Sequence, residues 1–290
     1  MSVLATEAAP AKINLALHIT RRREDFYHEL ESLVVFAGIG DEISVSPSKA
    51  DSLLVVGPFT AGLGNGPSNL VLRAARAFRA HWPDRLPDGL AFTLSKNLPV
   101  AAGIGGGSAD AAAVLRLLAR LAGEIDYADL SALAATLGAD IPACLLSRPC
   151  EMRGIGEIIH PLRDFPQMHV VLVNPLVPVA TADVFRRLER HDNPGLPPLP
   201  EPMTLPAQLG LWLEGTRNDL EAPAFNLVPA LAQLVDALQQ AQGSLLGRMS
   251  GSGGTVFGLF GSESQAHQAA HDLRERWPGH WVAAAPLIGA

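Results

Sequence analysis

The sequence predicts an α+β protein organised in two domains. Strand-like and helix-like segments are mixed along its 290 residues, without the strict strand–helix alternation of a parallel α/β sheet. Hydrophobic residues make up 48% of the chain and charged residues 18%, a composition typical of folded globular proteins. A chain of this length can bury one large or two ordinary cores. We expect an N-terminal domain of residues 1–155 and a C-terminal domain of residues 156–290.

Residues 12–19 are the first predicted strand, because apolar and mostly polar positions alternate along them. We expect this strand to be half-buried, with Lys12, Asn14 and His18 on its polar face. The other predicted strands are 33–36, 43–45, 53–56, 90–94, 169–173 and 255–260. The predicted helices are 69–80, 108–122, 129–137, 182–190, 227–242 and 263–276. Six prolines between residues 191 and 206 indicate an extended surface loop or linker.

Charge and cysteine content narrow the function classes. The net charge of −7 argues against nucleic acid as a partner, because phosphate backbones are bound by basic surfaces. The apolar runs are too short or too interrupted to span a bilayer, and the first twenty residues do not read as a signal peptide. Two cysteines, Cys144 and Cys150, do not make a disulfide scaffold, and a single disulfide bond between them is left as an alternative. We expect a cytoplasmic monomer or homodimer that binds a small molecule.

The strongest motif is Leu98-Pro-Val-Ala-Ala-Gly-Ile-Gly-Gly-Gly-Ser-Ala-Asp110, which runs into an alanine-rich helix. Its glycines allow successive backbone N–H groups to face one anion, and Ser108 is the expected helix N-cap. The positive end of the helix dipole adds to this potential, so the motif predicts a polyphosphate site. A flexible glycine linker is the simpler alternative. A dinucleotide fingerprint would need glycine at position 108, and a Walker A loop would need a Gly-Lys pair that the chain lacks.

This loop resembles the phosphate-binding motif of the GHMP kinase superfamily. Further blocks similar to those of the superfamily occur in the same order along the whole chain. They are Pro10-Ala-Lys-Ile-Asn-Leu-Ala-Leu17, Phe26-Tyr-His-Glu-Leu30, Asn69-Leu70, Lys96, Leu137-Gly-Ala-Asp-Ile-Pro142, Gly154-Ile-Gly-Glu157, Asn218-Asp-Leu-Glu221 and Met249-Ser-Gly-Ser-Gly253. The resemblance implies a ribosomal-protein-S5-like N-terminal domain and a ferredoxin-like C-terminal domain. The last block, a second glycine-rich turn, is implied to close over the phosphate loop; by spacing alone it is a tight turn between a helix and a strand.

The resemblance also implies which residues perform catalysis. Lys12, one of only three lysines, and Asn14 would border the accepting hydroxyl, with Lys12 stabilising the developing alkoxide. Asp140 would take the proton from that hydroxyl. Spacing alone allows simpler interpretations, in which Lys12 and Asn14 lie on a solvated strand face and Asp140 caps a helix.

The implied acceptor site consists of Asn14, Tyr27, His28 and Thr181. Tyr27 would stack on a cytosine ring and His28 would hydrogen-bond its edge; as an alternative, both residues anchor a loop. Phe26 departs from the family pattern, which usually has glycine before the tyrosine.

The implied ATP site consists of Asn69, Lys96, Pro99, Val100, Ala101, Ala102, Gly103, Ile104, Gly105, Gly106, Gly107, Ser108 and Ala109. By spacing alone, Asn69 would be a helix N-cap and Lys96 a surface lysine. Mg²⁺ is expected with ATP, and no metal ligand is assigned. The implied activity is transfer of the γ-phosphoryl group of ATP to the 2-hydroxyl of a cytidine diphosphate-linked methylerythritol, in the non-mevalonate route to isoprenoid precursors. The alternatives are a homoserine or phosphomevalonate type of GHMP kinase, or a nucleotide-binding protein of this fold without catalysis.

Overall fold

The computed structural model describes residues 3–289 and confirms the mixed α+β architecture. The strands are β1 (Ala5–Arg22), β2 (His28–Ser48), β3 (Ser52–Val56), β4 (Gly89–Ser95), β5 (Cys150–Arg153), β6 (Ile158–Pro161), β7 (His169–Asn174), β8 (Ser244–Met249), β9 (Val256–Phe260) and β10 (Trp281–Ile288). The helices are α1 (Leu70–His81), α2 (Gly106–Ala122), α3 (Tyr127–Leu137), α4 (Ile141–Leu146), α5 (Thr181–Arg186), α6 (Pro206–Glu214), α7 (Glu221–Leu227), α8 (Ala230–Gln240) and α9 (Glu263–Arg276).

The chain forms two compact units that are interleaved in sequence. The first unit contains residues up to 11, 39–100 and 105–146, and the second contains residues 12–38, 101–104 and those from 147 on. Neither unit begins or ends at residue 155. The domain boundary between residues 155 and 156 stays a prediction.

In the first unit, a sheet supports four helices. Residues 42–48 of β2 pair antiparallel with β4, and β3 pairs with the other edge of β4 in parallel. Helix α2 packs against α1, α3 and α4. The core includes the fully buried side chains of Phe78, Phe92 and Leu94. These contacts hold the strand end at Ser95 and the start of α2, which flank the glycine-rich loop.

In the second unit, β10 pairs with β2 on one side and with β7 on the other, and β9 and β8 follow in antiparallel order. Helix α8 packs on β8 and β9, and α9 packs on β7 and β10. The buried core joins residues of β1 to these elements, as in the cluster that contains Leu17, Ile19, Val171 and Phe260. Strand β5 pairs with β2 and β6.

Several predicted elements differ from those observed. Strand β1 is not half-buried: Lys12, Asn14 and His18 are at most 3% exposed. Other segments cover this face, and Ser32 and Pro194 accept hydrogen bonds from the side chains of Asn14 and His18. The two runs predicted at 33–36 and 43–45 belong to the single strand β2. The helix predicted at 227–242 is the shorter α8, preceded by a separate α7. Strands β5, β6, β8 and β10 and helices α4 and α6 were not predicted.

The structure describes the proline-rich segment and both cysteines. Residues 191–205 contain no helix or strand, as their prolines predict, and α6 begins at Pro206. Cys144 and Cys150 are buried free thiols. Burial raises the pKa of the Cys150 thiol to about 12, opposed in part by the charge of Lys12. No helix within residues 3–289 has the length and hydropathy needed to cross a membrane.

Candidate active site

The glycine-rich loop ends at an uncapped helix start in the first unit. The N-cap of α2 is Gly105, with a left-handed φ of 65°, and it offers no side-chain hydrogen bond. The prediction that Ser108 is the N-cap is therefore wrong, because α2 begins at Gly106, two residues earlier. The N–H groups of the first turn have no partners within the helix, so this end of α2 suits an anion such as a phosphate.

Lys96 occupies a buried ion cluster and not the surface position that spacing alone suggests. Its Nζ atom donates to Oδ2 of Asp41 and, at 2.9 Å, to Oδ2 of Asp110. Oδ1 of Asp41 also accepts the N–H groups of Asn97 (2.6 Å) and Leu98 (2.8 Å). Asp41, Lys96 and Asp110, hereafter the ion triad, thus join the chain that enters the loop to the helix that leaves it.

The electrostatics of the ion triad follow from its burial. Burial alone would lower the pKa of Lys96, but Asp110 and Asp41 outweigh this effect and raise it. Burial, with the negative charge of Asp41, raises the pKa of Asp110 to about 7 despite the opposing charge of Lys96. Among the described residues, Oδ1 of Asp110 has no hydrogen-bond partner. One lysine between two buried carboxyl groups therefore leaves Asp110 easier to protonate than an ordinary aspartate.

Gly106 is adjacent to the ion triad, and the space beside it is too small for a side chain. A Cβ atom at this position would lie 3.0 Å from Nζ of Lys96 and 3.7 Å from Oδ2 of Asp41. Any larger residue would press on the buried ammonium group. Sequence reasoning did not identify Asp41, whose only signal is an acidic residue between two apolar runs.

Asn69 is the N-cap of α1, as its simpler interpretation predicts. Its Oδ1 accepts the N–H of Val71 at 2.9 Å, and its Nδ2 donates to the carbonyl of Gly64 at 2.8 Å. Asp140 directly precedes α4, and its carbonyl accepts the N–H of Cys144 at 3.1 Å. The backbone of Asp140 thus occupies the position of a helix cap, and its half-buried side chain has at least one interaction.

In the second unit, β1 and residues 101–104 meet the second glycine-rich turn. The backbone N–H of Lys12 donates to the carbonyl of Ile104 at 3.0 Å. The hydroxyl of Ser250 donates to the carbonyl of Gly103 at 3.0 Å and accepts the N–H of Asn14 at 3.2 Å. The structure therefore brings together Lys12, Asn14 and the middle of the predicted phosphate loop.

The second glycine-rich turn, residues 250–254, connects β8 to β9 and not a helix to a strand. Gly103 approaches it so closely that a Cβ atom there would lie 2.5 Å from the carbonyl oxygen of Gly253, and its φ of 70° is left-handed. Thr181 reaches the same turn, with its Oγ1 atom 2.8 Å from Oγ of Ser252. Within the second unit, the two glycine segments are thus in direct contact, as the resemblance implies.

Asn218 and Glu221, from a block without an assigned role, hold this turn. Nδ2 of Asn218 donates to the carbonyls of Met249 and Gly251, both at 2.9 Å. A carboxylate oxygen of Glu221 accepts the N–H of Met249 at 2.8 Å. Burial raises the pKa of Glu221, against the effects of this hydrogen bond and of Arg248. The Asn218-Asp-Leu-Glu221 block therefore fixes the shape of the turn.

Tyr27 and His28 form a separate group at the hairpin between β1 and β2. Phe26 adopts a left-handed φ of 69°, a backbone angle that glycine adopts more readily than other residues. Tyr27 is 61% exposed, which leaves its ring open to a ligand and argues against an anchoring role. His28 is half-buried, with its ring centroid 5.0 Å from that of Phe185.

Family comparisons agree with this architecture. Residues 69–148 match the GHMP kinases N terminal domain, and residues 203–279 match the GHMP kinases C terminal domain. The class of protein is therefore a GHMP kinase, a phosphotransferase.

Individual relatives give a narrower grouping. The chain is 50% identical over 285 residues to the 4-diphosphocytidyl-2-C-methyl-D-erythritol kinase of Paracoccus denitrificans, covering 98% of this chain and 97% of that protein. It is 47% identical to the enzyme of the same name from a Chelativorans species, over 95% of this chain and 94% of that protein. A crystal structure of 4-(cytidine 5'-diphospho)-2C-methyl-D-erythritol kinase matches with a TM-score of 0.78 and 37% identity, covering 99% of this chain and 100% of that one. The chain belongs to the family of these kinases.

A homoserine kinase from Cytophaga hutchinsonii matches with a TM-score of 0.68 at 18% identity, covering 98% of this chain and 96% of that one, and shares the fold.

Proposed function

We propose that this kinase transfers the γ-phosphoryl group of ATP to the 2-hydroxyl of 4-diphosphocytidyl-2-C-methyl-D-erythritol, in the non-mevalonate route to isoprenoid precursors. The observation that carries the proposal is the contact of Lys12 and Asn14 with two glycine segments in the second unit. Relatives of about 50% identity that carry this enzyme's name support the choice of substrate.

ATP is proposed to bind through the glycine-rich loop, residues 99–109. Backbone N–H groups at the start of α2 would bind its phosphates, because no side chain caps Gly105. Asn69 and Lys96 are proposed near the adenine and ribose. Mg²⁺ would arrive with the phosphates of ATP, whose charge it neutralises.

Catalysis is proposed to use one carboxylate and one ammonium group. Asp140 would accept the proton of the 2-hydroxyl while the substrate oxygen forms a bond to the γ-phosphorus. The bond between that phosphorus and the β–γ bridging oxygen would break, and ADP would leave. Lys12 would stabilise the charge that develops on the attacking oxygen. Lys12 is 3% exposed, and such burial strengthens its electrostatic effect.

Acceptor recognition is proposed to involve the exposed ring of Tyr27 stacked on cytosine and the ring of His28 bound to the cytosine edge. Asn14 and Thr181 would contact the rest of the acceptor; both lie at the second glycine-rich turn. Stacking contributes about 1–3 kcal/mol per base. The Tyr27→Ala variant should therefore raise the KM for the acceptor more than it lowers kcat. The cytoplasmic location, the monomeric or dimeric state and the lack of a nucleic-acid or membrane partner stay predictions.

A coupled assay of ADP release tests the substrate. The cytidine diphosphate-linked acceptor should react far better than methylerythritol phosphate alone. Equal rates on the two compounds would refute cytosine recognition, and preference for homoserine or phosphomevalonate would support another GHMP kinase activity. Absence of ADP release with every acceptor would favour a binding protein without catalysis.

The Asp140→Asn variant tests the base. Asparagine caps a helix about as well as aspartate but cannot accept a proton at neutral pH. We expect unchanged melting, intact substrate binding and a loss of about 10²–10⁴ in kcat. A variant that keeps most of its turnover would rule out Asp140 as the base.

A further inference from the structure

The proline-rich segment of the second unit contains an anchored portion, residues 191–196, hereafter the strap. It has no regular secondary structure, yet its backbone is tied to β1. The N–H of Asn193 donates to the carbonyl of Ile19 at 3.1 Å, and Nδ2 of Asn193 donates to Oδ2 of Asp219 at 3.0 Å. The strap is therefore a fixed part of the second unit and not a free linker.

His18 holds the strap from inside the fold. Its Nδ1 atom lies 3.0 Å from the carbonyl oxygen of Pro194, and its Nε2 atom accepts the N–H of Arg217 at 3.0 Å. Because a carbonyl can only accept, His18 must carry its proton on Nδ1. At the other end of the strap, the N–H of Leu196 donates to a carboxylate oxygen of Glu31 at 2.9 Å. These bonds tie the strap to both strands of the β1–β2 hairpin.

The first residue of the strap, His191, contacts His28. Nδ1 of His191 lies 2.9 Å from Nε2 of His28, and the two ring centroids are 4.9 Å apart with an angle of 28° between the planes. In this contact one ring donates a proton and the other accepts it, so the two rings cannot both be cationic without losing the bond. Burial, His191 and Arg22 all lower the pKa of His28, which favours the neutral ring.

We propose that His191 is a positioning residue for His28: it fixes the orientation of the ring that reads the cytosine by binding its Nε2 atom, and so contributes to acceptor specificity. This inference rests on the proposed cytosine recognition by His28. With Nε2 of His28 bound to His191, Nδ1 is left as either a donor or an acceptor, and only one of these matches a given edge of a base. A His28 ring without this partner would sample both ring orientations.

The His191→Leu variant tests the proposal, because leucine fills a similar volume without a hydrogen bond. Loss of the net free energy of one hydrogen bond should raise the KM for the cytidine-linked acceptor about two- to tenfold. The KM for ATP and the kcat should change by less than about twofold. His191→Asn should restore most of the acceptor KM, since the asparagine amide can place a polar atom where Nδ1 of histidine lies.

His267→Leu is the matched control, since this histidine is 61% exposed on α9 and contacts Glu263 only weakly at 3.6 Å. It should leave every kinetic constant unchanged. An equal rise in both KM values for His191→Leu would indicate general disruption and would overturn the proposal. So would an unchanged acceptor KM in a protein that melts like the wild type.

A spectroscopic readout separates positioning from packing. The ¹⁵N shift of Nε2 of His28 should differ between the wild type and His191→Leu at the same pH, because the variant lacks the hydrogen bond to that atom. His28→Ala distinguishes the two levels of the proposal. If that variant leaves the acceptor KM unchanged, cytosine recognition by His28 fails. If it raises the KM while His191→Leu does not, only the positioning role of His191 fails.

Discussion

The two glycine segments of this kinase are held by different chemistry. The flanks of the first loop are joined by the ion triad, in which one ammonium group serves two buried carboxylates. The second turn is held mainly by the neutral amide of Asn218, which donates to two backbone carbonyls. Both arrangements fix the backbone of a glycine-rich segment.

This difference predicts how each segment responds to substitutions and to pH. A buried ion cluster is favourable only while its charges balance, since a carboxylate left alone in the interior has lost its hydration without compensation. An amide that donates to carbonyls carries no net charge. Its substitution therefore costs only the free energy of the hydrogen bonds that are removed. We therefore expect the first loop to depend on the ammonium group of Lys96 and on pH, and the second turn to tolerate conservative change.

The largest effect is expected for Lys96→Met. The substitution keeps the length of the side chain but leaves Asp41 and Asp110 uncompensated, at a cost of about 3–5 kcal/mol in the free energy of unfolding. Denaturant unfolding at pH 8 measures it. The loss should shrink in acid, where the carboxyl groups can protonate; a loss below about 1 kcal/mol at pH 8 would contradict the role of charge in the triad.

Asp110→Asn is expected to stabilise the protein as the pH rises. The pKa of Asp110 is raised from 3.8 to about 7 in the folded protein. Between these values the unfolded chain releases a proton that the folded protein retains, so the carboxyl group lowers stability progressively as the pH rises. Removing it should recover about 2–4 kcal/mol at pH 8 and nothing near pH 3. Unfolding curves across that range measure the difference, and parallel curves for variant and wild type would refute it.

Asn218→Leu should have an intermediate effect. It leaves the buried carbonyl of Met249 and the partly buried carbonyl of Gly251 without this donor, at a cost of about 1–3 kcal/mol. In contrast to the Asp110 variant, this cost should not vary between pH 5 and 8. A clear pH dependence in the measured free energy of unfolding would show that the neutral description of this turn is wrong.

The smallest effect is expected for Glu221→Gln. Glutamine keeps a carbonyl oxygen for the N–H of Met249, so the change should stay below about 1 kcal/mol. Glu221→Ala is the matched comparison, because it leaves that N–H without an acceptor. Equal melting temperatures for the two variants would mean that this hydrogen bond does not hold the turn.

Local signals in the sequence predicted most of the regular elements. Helices α1 and α9 lie within one residue of their predicted ranges, because polar residues that can cap a helix precede clear helical patterns. Strand β2 is a single element, although its sequence contains two separate strand-like runs. In the structure, Gly40 continues the strand, and a Cβ atom there would lie only 2.2 Å from the carbonyl oxygen of Ala9.

Long-range partners were beyond the reach of sequence patterns. Asp41 lies 55 residues before Lys96, and no periodicity indicates that the two meet. The burial of the polar face of β1 was missed for the same reason, since Ser250, which accepts the N–H of Asn14, is 236 residues away. The roles of Lys12 and Asp140 came from family resemblance, and the solvated strand face that spacing allowed for Lys12 was wrong.

The pairing of β10 with β2 has a consequence for how the protein is made. Leu287 pairs with Ala37, so a strand that the ribosome makes long after β2 completes the sheet beside it. At about 5–20 residues per second, the early strand must wait on the order of 10–50 s for its partner. During that time its unpaired edge and its apolar side chains are exposed to other nascent chains. Growth temperature and chaperone supply should therefore govern the yield of this kinase more strongly than the stability of the finished protein does.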